Sequence, residues 1–477
     1  MPELARLPGR LLIVGFGSIG QGVLPLILRH LGVRAADIRI VSATDDGRAQ
    51  AEAAGAGFCR CELNPDNLRS VLEPLLAAGD FLLNLSVAVS SLALVRLCRA
   101  RGALYLDTCI EPWAGGYADP TLNPAQRSNY ALREAALALR AETGPGPTAV
   151  LTHGANPGLV SHFTKHALLD LARDTGRPAA PPVSRADWAR LAQRLGVRVI
   201  HIAERDTQQP TTPKRPGEFV NTWSIDGFAG EGLQPAELGW GSHERRLPPD
   251  GHRHARGCDA AIWLARPGAS VRVRSWTPLA GPYHGYLITH GESISLADAL
   301  TVRGPGGSVS YRPTVHYAYH PCDAALLSLH ELAGSNWRLQ PAQRLIVDEI
   351  TGGRDELGVL LLGHERIAYW YGSRLDVSAA RAAAPHNSAT SLQVTAGVLA
   401  GMVWAIENPR RGIVEPEDMD HARVLELAAP YLGELVGVYA DWTPLAGRGE
   451  LFPEATIDDD PWQFANFRVD CPLPASG

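Results

Sequence analysis

Arg10-Leu-Leu-Ile-Val-Gly15-Phe-Gly17-Ser18-Ile19-Gly20-Gln-Gly-Val-Leu-Pro-Leu-Ile-Leu-Arg-His-Leu31 is the stretch on which the fold turns. Its first apolar residues read as a buried strand, and a Gly-x-Gly-x-x-Gly run follows at once. Val23, Leu24, Ile27, Leu28 and Leu31 then recur at helical spacing. Strand, glycine turn and helix in this order lift a weak pattern to a dinucleotide-binding expectation. Gly15 makes the tight turn, Gly17 lets a pyrophosphate approach the backbone, and Gly20 lets helix and strand pack closely. With Ser18 and Ile19 they aim the helix N-terminus, the positive end of its dipole, at the phosphates. A glycine turn without a ligand would not require a βαβ pattern downstream. That pattern continues, with further strands expected at 38–41, Phe81–Leu85, Ala103–Asp107 and Thr148–Thr152.

Loops leaving parallel strands carry ligands. Asn84, Ser86, Asp107, Thr108 and Asn156 therefore join the glycines as cofactor-binding candidates. Glu111, in Glu111-Pro-Trp113, and Asn156, in Gly154-Ala-Asn-Pro-Gly158, lie on loops of the same kind. Asn156 also reads as a helix N-cap with Pro157 as the first helical residue, and capping alone would account for it. The second strand ends in Val41-Ser42-Ala43-Thr44, where an acid that binds the ribose is usual. Asp45 and Asp46 come next and either reach the ribose or cap a helix. No arginine ends the strand to hold a 2′-phosphate, and Arg48 is the nearest downstream, so NAD is the expected cofactor.

A chain of 477 residues exceeds one ordinary core. The fold class expected is α/β. Residues 1–155 form a Rossmann-type, doubly wound parallel sheet that binds NAD, and 156–477 form a mixed α+β substrate-binding and dimerisation domain. A late helical segment near 388–410 is expected to return to the first domain. A net charge of -6 with no basic stripe excludes a nucleic-acid partner. No run approaches the ~18 apolar residues of a membrane span, and the N-terminus leads into a strand with no signal peptide. Seven cysteines without a CxxC pair read as free thiols in a reducing compartment, the cytoplasm. His252, His254 and Cys258 share an arginine-rich loop without a fourth ligand, so no metal is expected. Gly-x-Ser-x-Gly is absent, and nothing points to acyl transfer.

In the second half a helix runs from about 157 through Val160, Phe163 and Leu168-Leu169. A proline-rich linker, Arg177–Pro182, and a helix over Ser184–Leu195 follow. Strands are expected at 197–206, Phe219–Ile225, Ala260–Leu264, Ser270–Trp276, Tyr286–Thr289 and Ser308–Arg312. Helices are expected at Ala324–Leu332 and Ser388–Glu407. Trp-Thr-Pro-Leu-Ala-Gly occurs at 276–281 and again at 442–447, with flanks too different to indicate a duplication.

Acids sit on apolar frames beside turns throughout this half, at Glu204, Glu231, Glu237, Glu292 and Asp355. Trp223 lies in Asn221-Thr-Trp-Ser, and His316, Tyr317, Tyr319 and His320 cluster in one segment. Any one such acid is ordinarily solvated or capping, and a lone tryptophan is ordinarily core. Together they suit a cation. A carboxylate stabilises an ammonium, and an indole face stabilises it by about 2 kcal/mol when desolvated.

These segments, taken together, resemble the bacterial homospermidine synthase family within the saccharopine-dehydrogenase-like group. The resemblance rests on Gly15–Gly20, Ile110-Glu-Pro-Trp113, Gly154–Gly158 and His201-Ile-Ala-Glu-Arg-Asp-Thr-Gln208. It rests further on Asn221-Thr-Trp223, Glu231-Gly-Leu-Gln-Pro-Ala-Glu-Leu-Gly-Trp240, His316–Pro321, Asp355-Glu-Leu-Gly358 and Tyr369-Trp-Tyr-Gly372. It runs from about residue 11 to 470. It implies an NAD-dependent, redox-neutral aminobutyl transfer that joins two putrescines, or putrescine and spermidine, with release of ammonia or diaminopropane. It also implies a homodimer. By the same resemblance Trp223 is a cation–π platform, and Glu204 and Asn156 contact the reacting amine. Glu231 and Glu111 hold ammonium groups, Glu231 near the entrance, and His290 and Asp355 relay protons. One departure stands out. The family continues Asn84-Leu-Ser-Val87 with an aspartate, where this chain has Ala88.

Two other readings compete. A saccharopine- or carboxynorspermidine-type dehydrogenase would perform net redox and need arginines facing a carboxylate, for which Arg205 and Arg354 are the candidates. A non-catalytic NAD-binding sensor would keep the first domain and dispense with the acids.

Overall fold

A computed structural model describes residues 3–117, 119, 121–177, 180–450 and 458–469. Pro178 and Ala179 of the expected linker, and Cys471, lie outside them.

The glycine-flanked apolar run becomes strand β1 (Leu11–Val14), fully buried, and helix α1 (Ser18–His30) follows it. Strands β2 (Ile38–Ser42), β3 (Gly57–Arg60), β4 (Phe81–Asn84), β5 (Leu104–Asp107) and β6 (Ala149–Val150) complete the pattern. They pair in the order β3-β2-β1-β4-β5-β6, every pair parallel, which is the doubly wound dinucleotide-binding order. Helix α2 (Asn129–Thr143) is the crossover from β5 to β6.

Past β6 the chain enters helix α3 (Leu159–Asp174) and then strand β7 (Val199–Asp206), the centre of a ten-stranded mixed sheet. Its other members include β8 (Pro235–Gly239), β9 (Gly251–Arg253), β10 (Ala261–Pro267) and the hairpin β11 (Arg272–Thr277) and β12 (Gly281–Tyr286). Strands β13 (Thr314–His320), β14 (Arg354–Leu362) and β15 (Ala368–Asp376) follow. Strand β7 runs parallel to β13 and antiparallel to β14. Helices α4 (Ile225–Leu233) and α5 (Gly291–Ala299) lie between its strands in sequence.

The long helix α6 (Ala389–Glu407) packs on α1 and on β5, and also touches β14 and β15. The chain then adds β16 (Ile413–Val414) to the edge of the first sheet beside β6. Strand β17 (Glu434–Ala440) returns to the second sheet beside β15. One apolar core therefore runs from Ile13 and Leu106 through Leu399 to Leu357 and Tyr371. Helix α6 is long and apolar enough to cross a membrane, the one such helix among the described residues. Because 89% of its apolar window is buried within the protein, it is a core helix. An apolar run of this length was not evident from the sequence, because Thr390, Gln393 and Thr395 interrupt it.

Several local expectations change. The strand expected over Phe219–Ile225 stops at Asn221, and Ser224 caps α4 by accepting from the Gly227 N–H. The strand expected at Tyr286–Thr289 lies earlier, at Gly281–Tyr286. The two Trp-Thr-Pro-Leu-Ala-Gly copies place Trp276 and Trp442 against one apolar cluster around Trp370 and Phe467.

The contact between α6 and the first sheet leaves no room at Gly397, where a Cβ would lie 2.1 Å from the Gly154 carbonyl oxygen. Gly397→Ala is expected to cost about 1–3 kcal/mol of stability, read by denaturant unfolding. A variant as stable as the parent would mean that α6 does not seat on that loop.

Candidate active site

The dinucleotide end is built from the β1–α1 turn. Gly15 has φ +85°, and a Cβ there would lie 2.6 Å from the Ser86 backbone, so glycine is required. Beside Gly17 no atom lies within 4 Å of where a Cβ would stand. Helix α1 begins with no side-chain cap and no acid in its first turn, which leaves its leading N–H groups for an anion. This donor set fits a pyrophosphate. At the far edge, Ser42 closes β2 and is buried. The Asp45 carboxylate accepts from Arg48 (2.8 Å) and Arg60 (3.0 Å), and Asp46 accepts from the Thr44 hydroxyl (2.8 Å).

Two expected cofactor residues do not reach the cavity. Asn84 accepts from the Ser86 hydroxyl (2.6 Å) and donates to Tyr105, whose hydroxyl donates to Asp107 (2.7 Å). The other Asp107 oxygen accepts from the Thr152 N–H (2.6 Å). Asn84 and Asp107 are buried and spent on fixing loops, whereas Ser86, Thr108 and Ile19 line the cavity.

Asn156 is not an N-cap. The Asn156–Pro157 peptide is cis, and α3 starts at Leu159 with Gly158 as its cap residue. Gly154 donates back to the Pro157 carbonyl (2.7 Å), closing a tight turn with Asn156 on it. Both polar atoms of the Asn156 amide are buried without a hydrogen-bond partner, although the group lies near enough to favour the Glu204 carboxylate. Capping therefore does not account for this residue.

The second sheet supplies the acids by register. Side chains alternate across a strand, so Glu204 and Asp206 share one face of β7. Tyr319 stands opposite Glu204 and Tyr317 opposite Ile202 on β13. Leu357 stands opposite Glu204 and Asp355 opposite Asp206 on β14. These six therefore share the face that looks to the cavity. Glu204 and Glu237 lie within their strands and Glu231 on α4, not beside turns as the sequence suggested, whereas Asp355 is the second residue of β14, just past the turn at Gly353. His316 separates from its neighbours, because it points to the opposite face and meets His201 with ring centroids 4.1 Å apart. Arg205 lies on that opposite face too, donating to the Asp206 and Pro321 carbonyls. Neither Arg205 nor Arg354 lines the cavity. His252 and His254 stack on Trp263 and Tyr130.

Around the acids stands an aromatic wall. Tyr317 donates to Glu204 and stacks on Tyr319 at 5.3 Å, and Trp223 donates its indole N–H to the Tyr319 hydroxyl (3.2 Å). His290 Nε2 lies 3.3 Å from Glu231, and its Nδ1 is buried without a partner. Glu111, Asn156, Glu204, Trp223, Glu231 and His290 all line one cavity. Asp355 sits behind that wall, where one oxygen accepts from the Thr390 hydroxyl (2.5 Å) and the other has no partner.

Burial pushes Glu204 up to about 8, while Tyr317 pulls the other way. Burial and the charges of Glu204 and Asp206 push Asp355 well above the carboxylate range. Burial raises Asp206 to about 6, and burial plus Glu231 raises Glu111 to about 7. Arg205 offsets part of the rise at Asp206, but no lysine or arginine among the described residues lines the cavity, and such reluctantly ionised carboxyls suit a cationic ligand. Sequence reading missed Tyr317 and Tyr319 as wall residues and Thr390 and Gln393 of α6 as lining residues. Their signal was present, since Thr390 and Gln393 are polar positions in an otherwise apolar helix.

Similarity to known proteins extends over nearly the whole chain. Residues 11–150 match the saccharopine dehydrogenase NADP binding domain, and 154–439 match the saccharopine dehydrogenase C-terminal domain. The homospermidine synthase of Blastochloris viridis is 55% identical, covering 98% of this chain and 99% of its own. That of Mesorhizobium japonicum is 49% identical, covering 98% of each. The crystal structure of the Legionella pneumophila homospermidine synthase in complex with NAD superposes with a TM-score of 0.91. It is 49% identical and covers 98% of each chain.

The carboxyl shifts set a sign for stability against pH. With Glu204 raised from 4.5 to about 8, the folded state binds more protons than the unfolded one across that window. The ligand-free protein should therefore lose stability as pH rises through it. A linear diamine should counter this by stabilising the ionised carboxyls. Melting temperature against pH, with and without diamine, measures both, and Glu204→Gln should flatten the ligand-free slope. A ligand-free stability that climbs with pH over this window would contradict the assignment.

Proposed function

The chain belongs to the homospermidine synthase family, and from that premise we propose that its cavity joins two putrescines into homospermidine with release of ammonia. With spermidine as the aminobutyl donor, diaminopropane leaves instead. The observation that carries this reading is a face of buried carboxyls with no guanidinium among the described residues that line the cavity.

NAD⁺, when bound, accepts a hydride from the carbon bearing the reacting amine and returns it to the later imine, so no net oxidation occurs. The chain's own residues have the remaining work. Free aliphatic amines, judged by lysine, have a pKa near ~10.4 and arrive protonated. Asn156 and Glu204 face the reacting amine; burial keeps Glu204 largely protonated until the cationic substrate favours its ionised form, and that carboxylate takes the amine's proton. Asp355 and His290 are the relay for that proton. Glu231 and Glu111 hold the distal ammonium, which fixes the carbon chain. Trp223 lays an indole face against the cationic substrate and its iminium stage. When the second amine attacks, one C–N bond forms, one breaks, and ammonia takes the leaving nitrogen.

We assign cofactor binding to residues 1–155, assisted by α6, with Gly15, Gly17, Ser18, Ile19 and Gly20 at the pyrophosphate and Ser86 and Thr108 along the cavity. Substrate binding and dimerisation fall to 156–477. We place the enzyme in the cytoplasm as a homodimer, with the six described cysteines all free in support of a reducing compartment.

Incubation with putrescine and substoichiometric NAD⁺ should yield homospermidine and ammonia, by mass analysis, with no net absorbance of reduced dinucleotide. Stoichiometric consumption of NAD⁺ would favour the dehydrogenase reading. Trp223→Ala should keep NAD binding and lose about 2 kcal/mol of transition-state stabilisation, roughly 30-fold in turnover. Unchanged turnover in that variant would remove Trp223 from the mechanism.

A further inference from the structure

One buried carboxyl that the reaction does not use ties the two sides of the cavity together. Glu292 lies in the first turn of α5 and is 1% exposed. Its Oε1 accepts from the N–H groups of Gly158 (3.1 Å) and Ser161 (2.8 Å) and from the Ser161 hydroxyl (2.5 Å). Those amides open α3, which has no side-chain cap of its own because its cap residue is Gly158. A carboxyl from one helix thus caps another.

Placement gives this contact its consequence. Glu292 stands two residues past His290, the cap residue of α5, and Gly158 stands two residues past Asn156. One oxygen therefore sets the separation of two turns, each bringing one residue to the cavity. Asn156 contributes two buried amide atoms and His290 a buried Nδ1 without a hydrogen-bond partner among the described residues, while His290 Nε2 meets Glu231 and the Asn156 amide lies beside Glu204, so the two turns set where these side chains enter the cavity. On the far side, Ser161 Oγ also lies 3.0 Å from Glu417, which accepts from Ser295 as well (2.6 Å). The single Ser161 hydroxyl proton serves only one carboxyl at a time, so the pair is compatible with a proton retained on at least one. Burial holds Glu292 up at about 8.

We propose that Glu292 is a positioning residue for the transfer reaction, setting the Asn156–Gly158 turn against His290. The proposal rests on the reading of Asn156 and His290 given above. A cap that served stability alone would change unfolding and leave the turnover of the folded enzyme intact. A positioning residue changes kcat with little effect on KM, because misplacement costs attack geometry more than binding.

The test uses the full chain with NAD⁺ and putrescine, and Glu292→Gln, Glu292→Asp and Glu292→Ala. Glutamine keeps an acceptor oxygen at the same reach and mimics the neutral acid, so it should retain kcat within about threefold. Aspartate is one methylene short, should fold, and should lose kcat roughly tenfold with KM within about twofold. Alanine should lose more. Amide hydrogen exchange at 154–161 should quicken in the aspartate and alanine variants, independently of activity. Aspartate turnover equal to the parent's, or a glutamine loss as large as alanine's, would overturn the proposal. Should the parent itself form no homospermidine, the functional reading fails first, and the exchange data still report whether Glu292 holds the turn.

Discussion

Three carboxyls on one sheet face, Glu204, Asp206 and Asp355, have no cation among the described residues of the cavity wall to balance them, and the site is organised around that deficit. Burying a charge without a partner is costly, and such groups ordinarily respond by staying protonated. All three are pushed upward here. What makes the arrangement tolerable is hydrogen bonding. Asp206 takes Gln208 and Thr222, Asp355 takes Thr390, and Glu204 takes Tyr317. Those donors satisfy most of the oxygens and leave few free. Among the described residues the Asn156 amide, which lines the cavity, remains without a hydrogen-bond partner, whereas the unpartnered Asp355 oxygen lies behind the wall beside Glu204.

The second constraint is that the acids come from one sheet and the dinucleotide loops from another. The chain meets it by returning. Helix α6 lies against α1 and β5 on one side and offers Thr390 and Gln393 to the acid face on the other. That double duty explains its composition, apolar enough to pass for a membrane span yet carrying polar side chains at the points that touch Asp355. Glu237 performs a similar task from β8, accepting from the first amides of α2 at Asn129 (2.7 Å) and Tyr130 (3.3 Å).

Much of this was legible in the sequence, unevenly and for physical reasons. The Rossmann half was readable because strand, glycine turn and helix are local signals, and a buried parallel strand writes itself as an unbroken apolar run. The acids and Trp223 were nameable as a set. Their shared face was not, because it depends on register between strands far apart in sequence, such as β7 against β13 and β14. Asn84 and Asp107 misled for the complementary reason. They occupy the strand ends where ligands are read, yet Tyr105 and Thr152 absorb their side chains, which only the fold reveals. Asn156 misled in the opposite direction. Asn-Pro before a helix suggests a cap, but the helix starts later, and its cap comes from Glu292, far away in sequence.

The two groups of acids also differ in depth, and the difference suits an order of events. Glu204 and Asp355 lie against the sheet, whereas Glu111 and Glu231 come from a loop of the first domain and from α4. Glu111 is raised partly by Glu231, so the two carboxyls repel until a cation sits between them. Val87 beside Ala88 is 42% exposed, which leaves this end open to solvent. On the proposed function, a diammonium ion entering here would relieve the outer repulsion with one nitrogen while the other travels inward. The inner acids would then, on the same proposal, meet an ammonium already stripped of much of its hydration, whose charge favours the carboxylate form that takes its proton. In that proposed reaction the same gradient would leave the outer pair to hold the distal charge through the transfer, anchoring the chain while its reacting end changes partners.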